Sequence, residues 1–167
     1  FTSKAGRQAV ACDAVIDATG DGDLFVLAGE PFEREEVHPW LWFRMSGVDE
    51  SAFGQKGSGA FFFRTVRPGQ ALMPWGAAER IDRRIDATDP DDLTHAELEC
   101  RRMVMEEAAR LRRSVPGFAD AHISMIADQL GITESRRLRG SYVMVRDDLD
   151  RPFDDVVART GHWTKYA

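Results

Sequence analysis

Three groups of residues have the types and spacing that could do chemistry. The first is Ala14-Val15-Ile16-Asp17-Ala18-Thr19-Gly20-Asp21-Gly22-Asp23. The apolar run Ala14, Val15, Ile16 predicts a buried strand over 14–18 that ends in small residues. Small residues at a strand end let a ligand reach the backbone, because no side chain stands in the way. Nucleotide cofactors lie at such carboxyl ends in open α/β sheets. The segment Ala18, Thr19, Gly20, Asp21, Gly22 and Asp23 is therefore a candidate cofactor-binding loop. A tight strand-to-helix turn needs the same glycines and aspartates for backbone geometry and capping alone, so both readings stand.

The second group is Glu134, Arg136 and Arg137. A guanidinium can stabilise negative charge developing on a carbonyl oxygen, or clamp a substrate carboxylate through two hydrogen bonds. Glu134 could hold one arginine in place. A salt-bridged surface strand is the commoner fate of such residues. The third candidate is His162, which could act as acid or base at neutral pH. It lies beside Trp163 and Tyr166, so a packed, hydrogen-bonded histidine is an equal reading.

Other signatures are weaker. Asp17, Thr19, Asp21 and Gly22 fit the start of an EF-hand calcium loop, but Ala28 stands where that loop needs a bidentate glutamate. A predicted strand, not a helix, precedes it. The chain has no Gly-x-Ser-x-Gly, no His-Glu-x-x-His and no Walker lysine loop. Cys12 and Cys100 make neither a disulfide framework nor a metal pair. A Gly-x-Gly-x-x-Gly pyrophosphate cradle is missing too. Phe25 takes the third glycine position after Gly20-x-Gly22, and Phe62 takes it after Gly57-x-Gly59.

The elements that must position these residues read as mixed α/β. Residues 1–12 suggest a hairpin, with Lys4-Ala5-Gly6-Arg7 as the turn and Gln8 to Cys12 as the return strand. Asp23 could cap a short helix over Leu24–Ala28 that Gly29 stops. Residues 38–48 are aromatic-rich and strand-like, with Trp40, Trp42 and Phe43 packing between layers. Residues 54–60 read as a glycine-rich loop. Ala60–Val66 and Gln70–Pro74 read as strands around the turn Pro68-Gly69, and 80–87 as another.

A long helix is expected over 94–113. Thr94 and Glu97 form a capping box, with Leu93 and Leu98 as a hydrophobic staple. Arg110, Arg112 and Arg113 complement its C-terminal dipole, and Pro116-Gly117 ends it. Two apolar lines compete for the buried side, one through Leu98, Met105 and Ala109 and one through Cys100, Val104 and Leu111. Ala121–Ala127 and Leu138–Val145 read as strands, and 152–159 as a short helix.

Composition sets outer bounds. The 167 residues suffice for one ordinary domain, or one domain and a fragment. A net charge of −6 argues against a nucleic-acid partner. No apolar run reaches the ~18 residues of a membrane span. The cysteine content fits a reducing cytoplasm.

Three stretches resemble the FAD-dependent oxidoreductases that carry a dinucleotide-binding domain and a separate substrate domain. They are Ala18-Thr19-Gly20-Asp21-Gly22-Asp23, Gly131 to Val143 with its Arg136-Arg137 pair, and Gly161-His162-Trp163-Thr164-Lys165-Tyr166. The resemblance implies a flavoprotein in which the first stretch lies against FAD. Arg136 or Arg137 then stabilises charge on flavin or substrate, and His162 is the acid/base candidate. It further implies hydride transfer between a small organic substrate and the flavin.

The corresponding layout is a remnant of a dinucleotide-binding domain over 1–29 and a substrate domain over 30–160. In the latter, a mostly antiparallel sheet packs against one long helix. Residues 161–167 begin a return to the cofactor domain. The chain so read is an internal portion of a larger enzyme, and by itself it is expected not to bind FAD tightly, because the pyrophosphate cradle is missing. The other reading is a non-catalytic module that keeps the substrate-domain fold and needs a partner chain.

Overall fold

In the computed structural model, residues 1–54, 60–74, 81–148, 151 and 153–154 are described. Their order is β1 (Thr2–Ser3), β2 (Gly6–Arg7), α1 (Asp23–Leu27), β3 (Phe32–Arg34), β4 (Glu36–Val37), β5 (Phe43–Ser46), β6 (Phe63–Arg64), β7 (Gln70–Met73), β8 (Ile85–Asp86), α2 (Pro90–Ser114), β9 (His122–Ile126) and β10 (Arg136–Leu138). Single 3₁₀ turns lie at Glu50–Ala52 and Arg146–Asp148. Every strand pairing among these residues is antiparallel. The fold is therefore α+β with one long helix, as expected.

The centre is a four-stranded sheet in the order β6-β7-β5-β9. Strand alternation sends Phe43 and Met45 of β5 to one face, where their cross-strand partners on β7 are Met73 and Ala71. Helix α2 covers that face with Cys100, Met103, Val104, Ala108 and Leu111, and Leu41, Phe118 and Ala121 complete the cluster. Full burial of Phe43, Leu41 or Leu111 contributes roughly 1.5–3 kcal/mol each. A smaller cluster of Ile81, Ile85 and Ala96 joins the other end of α2 to β8, which pairs with β4.

Several expectations shift. Helix α2 starts a turn early, because Asp89-Pro90 supplies a stronger signal than Thr94: an N-cap carboxylate followed by proline at the first helical position. Asp89 accepts hydrogen bonds from the amides of Asp91 at 2.8 Å and Asp92 at 3.3 Å. Thr94 lies inside the helix and bonds back to the Pro90 carbonyl, so the capping box is not formed. Leu98 is 66% exposed, so there is no staple, and Met105 is exposed with it. The Cys100–Val104–Leu111 side wins because apolar residues recur along it every three or four positions. On the other line the intermediate positions hold Arg101 and Arg102.

Trp42 also turns outward, since alternation assigns the interior to Leu41, Phe43 and Met45. The N-terminal hairpin turns at Lys4-Ala5, and its return strand is Gly6–Arg7 rather than Gln8–Cys12. The 80–87 strand shortens to Ile85–Asp86, and the Ala60–Val66 strand to Phe63–Arg64.

Two corrections bear on the site. Residues 14–18 form no strand, and Ile16 is 87% exposed. An isolated extended segment has no ladder to satisfy its amides, and no described strand lies beside this one. The expected strand over Leu138–Val145 instead lies earlier, at Arg136–Leu138, because Phe32–Arg34 offers its pairing partner there. The expected helix over 152–159 falls almost wholly outside the described residues. No described helix is long and apolar enough to cross a membrane.

Candidate functional site

The Thr19–Asp23 loop is built around Asp17. Its Oδ1 accepts from the Thr19 amide at 3.0 Å and from the Thr19 hydroxyl at 2.7 Å, and its Oδ2 accepts from the Phe25 amide at 3.0 Å. Hydrogen bonds from Thr19 to the ionised form hold the Asp17 carboxyl below its ordinary value. Thr19 Oγ1 in turn accepts from the Asp23 amide at 2.8 Å. Asp17 and Thr19 thus satisfy the first free amides of α1, in place of the expected Asp23 cap. Gly22 is the N-cap with φ of 70°, and a Cβ there would strike the Phe25 ring. Gly29 ends α1 with φ of 82°, as expected, while Glu30 and Gly29 donate back to the carbonyls of Phe25 and Val26.

The released Asp23 carboxylate reaches across the molecule. Its Oδ1 receives Arg136 Nη1 at 2.6 Å, and the same nitrogen donates to the Asp21 carbonyl at 3.2 Å. Ser135 Oγ donates to Asp21 Oδ1 at 2.5 Å. Two segments more than 110 residues apart are thereby clamped at three points. The Arg136 side chain is only 16% exposed, and its guanidinium lies 6.0 Å from the centre of the Phe32 ring. Its Nε is buried with no acceptor among the described residues.

Pairing of β10 with β3 decides the fate of each arginine. Alternation turns Arg136 toward the loop and Arg137 away. Arg137 pairs with Glu35 at 3.2 Å and, more loosely, with Glu134 at 3.7 Å, and it is more than half exposed. Arg139 pairs with Glu33 at 3.1 Å. The salt-bridged surface strand therefore describes Arg137 and Arg139, whereas Arg136 is the residue bound to the loop. Upstream, the 131–137 segment is held to the sheet by Trp40 and Gly131, which exchange both backbone hydrogen bonds. Only glycine fits at 131, since a Cβ would collide with the Trp40 indole.

Between loop and strand lies a cavity of about 670 Å³. Gly20, Asp21, Arg136 and Arg137 line it, so it gathers residues from both candidate motifs. Glu134, Ser135, Glu35 and Glu97 also contribute, with Leu93, Leu130 and Ile132 as the apolar part. Glu97 is engaged by Arg101 at 3.0 Å. Ala18 is exposed beside the loop, and His162 lies outside the described residues.

Ser135, Glu35 and the Asp23–Arg136 pair escaped sequence reasoning. No local spacing encodes a contact across 113 positions. The available signal was an acidic loop with no local cation and two adjacent arginines with only Glu134 beside them.

Two features of the cavity fit a flavin. Gly20 has φ of 85° with open space where a side chain would stand, so a planar group can approach its backbone. Arg136 carries a buried donor, Nε, with no acceptor among the described residues. Both suit an electron-accepting ring system with carbonyl and imine acceptors. No curated protein and no solved structure matches the chain. A family model described as FAD dependent oxidoreductase matches residues 1–164. The chain belongs to the FAD-dependent oxidoreductase family, whose cofactor in the complete protein is FAD.

Proposed function

We propose that this chain is the portion of an FAD-dependent oxidoreductase that orients the flavin against a small organic substrate, with hydride transfer between them. The observation that carries the reading is the clamp between Asp21, Asp23, Ser135 and Arg136 at the edge of the cavity. In this reading residues 1–29 belong to the cofactor-binding part and residues 30–160 to the substrate domain.

FAD supplies the hydride-accepting chemistry when bound. The protein's task is then orientation and electrostatics. Gly20 would let the ring system lie against the backbone. Thr19 and Asp17 fix the loop beforehand, so little ordering remains to be done on binding. Arg136, oriented by Asp23, donates a hydrogen bond toward charge that grows in the transition state. Its low exposure strengthens that interaction, because little water competes. Arg137 spends its charge on Glu35 and Glu134 and serves to hold the strand. His162 is the proposed group for taking up or supplying the substrate proton.

Anaerobic flavin reduction in the complete protein tests this assignment. Arg136→Gln slows reduction by about 10²-fold, in the range of losing one preorganised donor. Arg137→Gln changes it by less than about threefold, as befits an exposed pair. Equal losses in the two variants would remove Arg136 from its role. A larger loss at Arg137 would reverse the assignment.

A further inference from the structure

The outer face of the four-stranded sheet carries an arginine that has no counter-charge among the described residues. Arg44 lies in the middle of β5, directly across from Leu72 of β7 and Met125 of β9. Phe63 of β6 pairs with Leu72, so the row across the sheet reads Phe63, Leu72, Arg44, Met125. This face is the one that α2 does not cover, and Phe63 and Met125 are exposed on it. No ion pair among the described residues includes Arg44, and its Nε is buried without a hydrogen-bond partner. Nearby polar side chains are engaged elsewhere. Gln70 Nε2 donates to Ser46 Oγ at 3.2 Å, and Ser124 Oγ donates to the Arg44 carbonyl at 3.4 Å.

A second arginine of the same sheet shows the usual arrangement. Arg64 of β6 pairs with Glu50 at 2.8 Å and stacks over the Phe53 ring at 4.7 Å. Arg44 lies on the opposite face between Leu72 and Met125, with no carboxylate paired to it among the described residues. A charged donor left unmatched against apolar neighbours is unfavourable, and an anion that supplies the acceptor relieves it.

We propose that Arg44 binds the carboxylate of a small organic acid whose apolar body lies along Leu72, Met125 and Phe63. The planar guanidinium fork matches a carboxylate through two parallel hydrogen bonds. Apolar neighbours on both sides favour an anion with a hydrocarbon part, because that part covers surface otherwise left in water. The site uses none of the residues of the Asp21–Arg136 clamp. It goes beyond the flavin reading and needs no flavin for its test.

The experiment is a titration of the full chain, labelled with ¹³C at the methionine methyls, with hexanoate, hexanamide and inorganic phosphate. Hexanoate shifts the Met125 methyl signal and saturates in about the millimolar range. Hexanamide and phosphate leave it in place. Arg44→Gln weakens hexanoate binding by about tenfold or more, while Arg44→Lys keeps part of it. Met125→Glu sets a carboxylate beside Arg44 and abolishes binding; because it removes the reporter methyl, it is read from the line broadening of the hexanoate protons, which keeps the test open should Arg44→Gln fold poorly.

Equal shifts with hexanamide would show plain hydrophobic adsorption and overturn the proposal. An equal response to phosphate would overturn the organic-acid assignment. So would unchanged binding in Arg44→Gln or Met125→Glu, or no saturable shift by about 100 mM hexanoate, where affinity is negligible.

Discussion

The sheet around Phe43 and the clamp around Arg136 lie in one chain but are held by different forces. The first buries apolar side chains on both partners, from Leu41 and Phe43 to Val104 and Leu111. The second joins an exposed loop to a short strand through one hydroxyl, two carboxylates and one guanidinium. Its surroundings leave Val15, Ile16 and Leu27 in solvent. A core of the first kind is non-directional and tolerates repacking. A clamp of the second kind is directional and weak, and it can tighten when a ligand excludes water from it. The contrast separates the part of the molecule that carries stability from the part fitted for binding.

Core truncation should produce the largest effect on that contrast. Phe43→Ala is expected to destabilise the fold by about 3–5 kcal/mol in urea denaturation. A loss under about 1 kcal/mol would mean the sheet and α2 do not form one core. Next comes the start of α2. Asp89→Ala should cost about 1 kcal/mol, and Thr94→Ala clearly less, because Asp89 holds the N-cap. The reverse order would restore Thr94 as the cap.

A pH titration should then resolve the loop from the core. The Asp17 carboxyl is depressed by its hydrogen bonds from Thr19, so the order it gives the loop is fully present above the ordinary aspartate value. That order is lost as pH falls through the lower folded value. The Thr19 and Phe25 amide signals should move together in that acid window, and Asp17→Asn should remove the transition. Movement at neutral pH would contradict the assignment.

The smallest effect is chemical. Burial, with Glu97 and Glu99 nearby, pushes the Cys100 thiol up to about 11, whereas Cys12 is exposed. A thiol reagent should label Cys12 at once and Cys100 only on unfolding. Early labelling of Cys100 would mean the core opens easily.

Legibility in the sequence follows the same division. The long helix, the β7 strand and the strand near 121–127 were readable because their signals are local: periodicity, a turn at Pro68-Gly69, a stop at Pro116-Gly117. The buried face of α2 was ambiguous until the sheet chose between two apolar lines. Ala14, Val15 and Ile16 have the composition of a buried strand, yet composition cannot supply the neighbour that a strand needs. In the candidate site, the loop and the arginine pair stood out singly. Their junction through Asp23 and Ser135 did not, since it depends on the register in which β10 pairs with β3.

The most direct test is amide hydrogen exchange of the complete protein with and without FAD. The account predicts that FAD slows exchange together in Thr19–Asp23 and Ser135–Arg137, while the amides of β5 and α2 change little. Bound FAD with no slowing in either segment would contradict the claim that the clamp faces the flavin.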